Sequence, residues 1–292
     1  MHRNPNAFAH RARQFCHCRL GFWLLVALLA CGLQLKTLAE PAPARHTVAE
    51  PVLVRHTLGT VHGFLVQRSA DGQVVATGDS VQVARGDQVT SRTTFTYKDG
   101  SVDDETTVFS QRQSFKLISD HHIQKGPFFP HPMDFTIDAR SGQVTVKTTG
   151  KDGKEVKYAE HMNLPLDVAN GMVSQLIGNI KVGAQPTTVS LLVTTPKPRI
   201  VKLAISSVGE ESFAIAGAAH KATHFGIQIQ IGGFAGMVMP LVGKTPPNIE
   251  IWEVGGEAPT FLRETGPTFE DGPVMTIELA SPEWPKAAKA GG

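Results

Sequence analysis

From about residue 53 onward the chain alternates apolar and polar positions with a period of two. Phe95 and Tyr97 alternate with Thr94 and Thr96, and Val144 and Val146 alternate with Thr145 and Lys147. The clearest run covers residues 225–231, Phe-Gly-Ile-Gln-Ile-Gln-Ile, apolar at every odd position with Gly226, Gln228 and Gln230 between them. Strands of this kind bury one face and wet the other, the pattern of an antiparallel sheet. Turn dipeptides separate the runs at Asp71-Gly72, Gly86-Asp87, Asp99-Gly100, Ser141-Gly142 and Asp152-Gly153. Asp-Gly suits a hairpin because both central residues tolerate positive φ, and that twist matches the strands. Strand-like runs resume at residues 188–195, 200–208, 212–216, 223–231, 248–254 and 274–279.

One segment changes period. Leu166, Ala169, Met172, Val173, Leu176, Ile177 and Ile180 recur at steps of three and four. That spacing predicts an amphipathic helix of about four turns over residues 165–180. Asn163 can cap its start and Pro165 fits the first turn. Gly171 and Gly178 weaken it by roughly 1 kcal/mol each relative to Ala. It therefore has to be held by packing its apolar stripe on the concave face of the sheet. The fold class that follows is mainly β: a curved antiparallel sheet or open β-barrel with one amphipathic helix packed on or in it. Nothing after residue 52 reads as a linker, so residues 53–292 are expected to form a single β-rich domain.

The start of the chain has another character. Arg3, Arg11, Arg13 and Arg19 precede an apolar run from Leu20 to Leu33, interrupted by no charge. A basic region followed by an apolar one is the layout of a secretory signal, and the run is shorter than the ~20 residues a membrane span needs. Thr37-Leu38-Ala39 supplies small residues for cleavage, so residues 1–39 are expected to be a signal peptide and residues 40–52 a proline-bearing flexible linker. Leu28-Leu29-Ala30-Cys31 also resembles a lipobox, so release as a soluble protein and lipid anchoring at Cys31 are both open. The expected location is the periplasm or cell envelope, with membrane contact only through the leader or Cys31.

Removing the leader changes the charge. It holds five of the 28 basic residues and none of the 26 acidic ones, which leaves 23 against 26, a net charge of −3. A strongly basic nucleic-acid binder is thereby excluded. All three cysteines (Cys16, Cys18, Cys31) lie in the leader, so a cleaved chain has no disulfide and no thiolate site.

Histidines are the first place to look for chemistry. His220 and His224 are four apart, but on a strand that is roughly 13 Å, too far to chelate one ion. Asp120-His121-His122 places adjacent histidines on opposite faces of a strand. The expectation there is a solvated strand end. Asp103-Asp104-Glu105 follows a turn and lacks the spaced ligands of a calcium loop, and is expected to be a solvated acidic loop. Arg85-Gly86-Asp87 is assigned to turn chemistry. No nucleophile elbow, phosphate loop, dinucleotide fingerprint or zinc-protease motif occurs. No catalytic residue, metal site or cofactor is therefore expected.

Two loops are apolar where loops are usually polar. Residues 125–133 carry Phe128 and Phe129 among prolines, and residues 232–243 carry Phe234, Met237, Met239 and Leu241. Such loops either plug the sheet or line a cavity, and methionine adapts to varied ligand shapes. Those six residues are the candidate ligand-binding set.

Asn248-Ile-Glu-Ile-Trp252, followed by Ala258-Pro259-Thr-Phe-Leu-Arg263, places a Trp-bearing strand before a Pro-led strand ending in a basic residue. Over about the last hundred residues this layout resembles the LolA/LolB lipoprotein carriers and related exported bacterial proteins. The resemblance implies a curved sheet around an apolar cavity covered by a helix. The function it favours is non-enzymatic binding of an apolar small molecule or lipid moiety. The alternative is a secreted hydrolase whose triad is assembled from distant residues, involving His121, His122 or His220.

Overall fold

In a computed structural model, the described residues are 50–150, 153–194, 197–230, 248–256 and 259–281. The chain divides into residues 1–46 and residues 47–292, and the first unit lies outside the described residues, as does the predicted cleavage site. Eight strands come first: β1 (Val61–Arg68), β2 (Val74–Arg85), β3 (Gln88–Tyr97), β4 (Val102–Ser110), β5 (Lys116–Lys125), β6 (Met133–Asp138), β7 (Gln143–Thr149) and β8 (Glu155–His161). A short helix α1 (Val173–Ile177) separates them from β9 (Thr187–Val193), β10 (Arg199–Ile215), β11 (Ala218–Gln230), β12 (Ile249–Val254), β13 (Thr260–Pro267) and β14 (Val274–Leu279).

All fourteen belong to one antiparallel sheet, in the order β8-β7-β6-β5-β4-β3-β2-β1-β14-β13-β12-β11-β10-β9. Two meanders are thus joined where β1 pairs with β14, Leu65 opposite Leu279. The free edges are β8 and β9, consecutive in the chain, so the sheet curls without closing and residues 162–186 run from one edge to the other. The expected mainly-β open barrel stands. All five Gly-bearing turns lie between consecutive strands, and Gly72, Gly86, Gly100, Gly142 and Gly153 all have positive φ.

The predicted helix is corrected. Only Val173–Ile177 is helical, one turn and a half rather than four. Gly171 has φ +64°, a left-handed conformation that ends any helix approaching from residue 165. The apolar stripe is nevertheless buried: Val168, Ala169, Met172, Leu176, Ile177 and Ile180 belong to the main core, with Phe109, Phe115, Ile137, Val144 and Ile205 of the strands around them. Leu166, the first residue of the predicted stripe, is instead exposed. Packing, not helical periodicity, selected these residues.

Upstream of α1 the chain is tied to the edge strand β9. The backbone of Ala169 donates to the Ser190 carbonyl at 2.9 Å, and Ser190 donates back to Asp167 at 3.1 Å. Asn170 clasps the Leu192 backbone, donating at 2.9 Å and accepting at 2.8 Å. The buried Asp167 carboxylate accepts from Ser190 Oγ at 2.6 Å and from Lys202 Nζ at 3.0 Å. Downstream, Asn179 Oδ1 accepts from the backbone of Arg55 and of His56, both at 2.7 Å. Val52 accepts from the Phe115 amide at 2.8 Å, so residues 52–58 lie against the barrel and α1.

Met172 is 1% exposed. Met172→Asp should therefore lose at least ~3 kcal/mol in chemical denaturation, because an unpaired charge has no partner there. Gly171→Ala adds about 1–2 kcal/mol from backbone handedness alone, before the overlap of its Cβ with Thr107 and Asp120. Two variants melting within a degree of the parent would show that this segment is not packed inside the sheet.

Candidate functional site

Strand alternation decides which side chains enter the barrel. On β4 the odd residues Asp103, Glu105, Thr107 and Phe109 share a face, and Phe109 belongs to the core, so that face is the inner one. On β5 their cross-strand partners are Gln124 opposite Asp103, His122 opposite Glu105 and Asp120 opposite Thr107. Across the barrel, Ile251 lies in the core, which turns Glu253 inward on β12; Glu264 on β13 is paired with Ile251 and faces the same way. Two acidic walls result.

Between them is a cavity of about 580 Å³. Asp103, Glu105 and His122 line one side; Glu253, Pro259, Phe261 and Glu264 line the other. Leu65, Phe95, Ile277 and Leu279 supply an apolar surface, and Val173, Ser174 and Gln175 present the helix to the space. Gln175 Nε2 donates to Ser91 Oγ on β3 at 3.1 Å, which holds α1 across the barrel. A Cβ at Gly171 would stand 2.7 Å from Asp120 Oδ1, and one at Gly178 would stand 2.9 Å from Glu253 Oε2. These two glycines let the crossing segment touch an acidic residue on each wall.

The charges in this space are unequally matched. His122 Nε2 donates to Asp103 Oδ1 at 2.7 Å, and its Nδ1 faces Glu105 Oε1 at 3.8 Å. Burial opposes charging this imidazole, but the charges of Glu105 and Asp103, the Asp103 hydrogen bond and Asp120 outweigh it and hold the group up to about 9. His122 is thus an imidazolium at neutral pH. Burial lifts the Glu105 carboxyl, with His122 pulling the other way. Asp120 accepts from Thr107 Oγ1 at 2.7 Å, yet burial and the nearby Glu105 push it up to about 8. On the far wall burial alone acts: Glu253 is pushed up to about 8 and Glu264 to about 7. Glu253 is 3% exposed, and its Oε2 is buried without a hydrogen-bond partner among the described residues.

The acidic expectations need correction. Asp103-Asp104-Glu105 is not a solvated loop but part of β4; only Asp104 faces out, where Arg92 Nη2 donates to it at 2.6 Å. His121 and His122 do point to opposite faces, His121 to Asp134 at 3.0 Å outside and His122 inward. His122 is therefore no solvated strand end. His220 and His224 also stay apart in their contacts, His220 beside Phe213 and His224 stacked on Trp252 at 4.4 Å. Among the described residues, no group of three or more His, Cys, Asp or Glu is arranged to hold a metal ion.

Of the six residues expected to bind a ligand, Phe234, Met237, Met239 and Leu241 lie outside the described residues. Phe128 stacks on Tyr97 at 4.2 Å and Phe129 meets Tyr97 edge-on at 5.3 Å, both touching Phe269. Their cluster includes Leu65 and Phe95, which line the cavity, so the two phenylalanines stand behind the wall. Sequence reasoning missed Asp103, Glu105, Glu253 and Glu264. The parity of each strand, read outward from its core residue, would have found the first two.

No protein-family model matches the chain, and no curated protein matches it. Several solved structures are similar, two of which follow. One is a β-barrel-like protein of the domain of unknown function DUF1849 from Brucella abortus, 12% identical, with TM-score 0.40, covering 79% of this chain and 100% of that one. The other is described as a putative exported protein with a YmcC-like fold from Bacteroides fragilis, 10% identical, with TM-score 0.31, covering 80% of this chain and 100% of that one.

The charge arrangement makes a stability prediction. A carboxyl raised from 4.5 to about 8 binds its proton more tightly in the folded state than in the unfolded one. Stability from that group is complete below the unfolded value and is lost as pH rises toward 8. Glu253→Gln removes the loss. Its melting temperature should match the parent's near pH 5 and exceed it increasingly up to pH 8; equal curves across that range would contradict the burial of Glu253 as an unmatched acid.

Proposed function

We propose that this protein is an exported, non-enzymatic carrier that holds a small amphipathic molecule inside its open barrel. The observation that carries this reading is the concave, partly open cavity of about 580 Å³, apolar along Leu65, Phe95, Ile277 and Leu279 and polar at its acidic walls. Ligand sites are commonly concave, about 300–1,000 Å³, and mainly apolar with a few oriented polar groups. Export rests on the basic-then-apolar leader, and the carrier role is in keeping with the resemblance of the C-terminal strands to the LolA/LolB carriers.

The hydrolase alternative needs a histidine free to take a proton from a hydroxyl. His122 is charged and turned to two carboxylates, and His121 and His220 are outside the barrel. That geometry favours binding over triad chemistry.

A neutral apolar fluorophore such as N-phenyl-1-naphthylamine tests the reading. Burying eight methylene equivalents contributes roughly 6 kcal/mol before the association cost, so micromolar affinity is expected. Ser80, on the inner face of β2, lines the cavity. Ser80→Trp should weaken the probe about tenfold or more while the melting temperature moves little. Absence of binding by the parent, or binding indifferent to Ser80→Trp, would overturn the carrier reading.

A further inference from the structure

Glu253 is the least expected residue in the molecule. A carboxyl buried to this degree is ordinarily paired or hydrogen-bonded. Its Oε2 has no hydrogen-bond partner among the described residues, and the residue lines the cavity. Glu264 of β13, paired with Ile251 and acting on Glu105 across the space, also lines the cavity and has no hydrogen bond or ion pair among the described residues. Among the described residues, no Lys or Arg lines this space. Among the described residues, the histidines lining the space are His122, on the opposite wall and engaged by Asp103 and Glu105, and the half-exposed His62, which meets Asp79 at 3.2 Å. Four carboxyls thus face one imidazolium, and the surplus is concentrated at Glu253 and Glu264.

We infer that the carrier's ligand is a cationic amphiphile, an aliphatic primary amine whose ammonium group is held at Glu253, in a space that Glu264 also makes acidic, and whose chain lies on Leu65, Ile277 and Leu279. The inference rests on the carrier reading and narrows its ligand class. An ammonium has three donors and a charge, which are the things Glu253 and Glu264 lack. A fatty-acid carboxylate would instead add a further anion to a space that already has an excess. A neutral alcohol would satisfy the hydrogen bond of Glu253 but would not favour its ionised form as an ammonium does.

Proton linkage follows from the same arrangement. The titratable groups lining the cavity with Glu253 are, among the described residues, Glu264 on β13, Asp103 and Glu105 on β4, His122 on β5 and His62 on β1, while the crossing segment offers uncharged Gly178, Ser174 and Gln175 and the β2 side offers Ser80 and Gln82. Below pH 8 the free Glu253 carboxyl holds its proton. Seating an ammonium beside it expels that proton, so affinity should climb by as much as about tenfold per pH unit between pH 6 and 8.

Isothermal titration of the full folded chain with decylamine, decanol and decanoate, matched in chain length, tests this. At pH 8 decylammonium should bind about tenfold or more tightly than decanol, and decanoate least tightly; the amine preference should shrink markedly at pH 6. In Glu253→Gln combined with Glu264→Gln, amine and alcohol should bind within about twofold of each other. Three ligands of equal affinity in the parent, a preference that does not depend on pH, or a preference surviving the double substitution would each overturn the cation assignment and leave the carrier standing. No binding of any of the three would overturn the carrier reading and this inference with it. Should the double variant not fold, the headgroup and pH series on the parent still decides.

Discussion

The inside of this barrel exists because the sheet does not close. With β8 and β9 as free edges, residues 162–186 must return from one to the other, and they do so by entering the interior. Backbone and side-chain bonds to Ser190 and Leu192 fix the entry, the Asn179 clasp on residues 55 and 56 fixes the exit, and glycines mark the contacts with the walls. At Gly171 any Cβ would collide with Thr107 beside Asp120; at Gly178 it would collide with Pro259 beside Glu253. The segment therefore fills the barrel with Met172, Leu176 and Ile177 on one side and leaves a cavity on the other.

This partition explains why the charges in the cavity behave differently. Where an acid faces a neighbour of opposite charge, burial is offset: His122 stays charged between Asp103 and Glu105. Where it faces none, burial wins, and Glu253 and Glu264 hold their protons to about 8 and about 7. Glu105 belongs to neither limit. It is 30% exposed at its side chain because it borders the cavity, yet it lies deep in the sheet, with His122 lowering and Asp103 and Glu264 raising its carboxyl.

Much of the sheet was legible because its signals are local. A Gly with positive φ is needed at position 72, 86, 100, 142 or 153 whatever the rest of the chain does, and the period of two is visible within each strand. The length of the helix was not local. Leu166 and Ala169 fit a helical period, but Gly171 takes a left-handed conformation because β4 and β5 leave it no other room. The site was hidden for a related reason. Asp103-Asp104-Glu105 reads as solvated when taken as a run; only the register to Phe109 on one side and Arg92 on the other splits it into two residues inside and one outside. Glu253 was hidden further by the β-bulge after Trp252, which shifts the pairing by one residue there.

That bulge also bears on why an unmatched acid is tolerated. In register with Arg263, Trp252 packs outside with His224 stacked on it and the guanidinium 5.6 Å from its ring. Arg263 is drawn outward as well by Glu278, at 3.4 Å, which also takes Arg68 at 2.7 Å. The outer face of β12–β14 thus uses the nearest cations, and the inner face of the same strands has none to give Glu253 and Glu264. A sheet selected for stability alone would place apolar residues at those two inward positions, since a buried unpaired carboxyl is costly in either protonation state. Their presence on a cavity wall, with the counter-charges kept on the other face, is what the proposed cationic ligand accounts for.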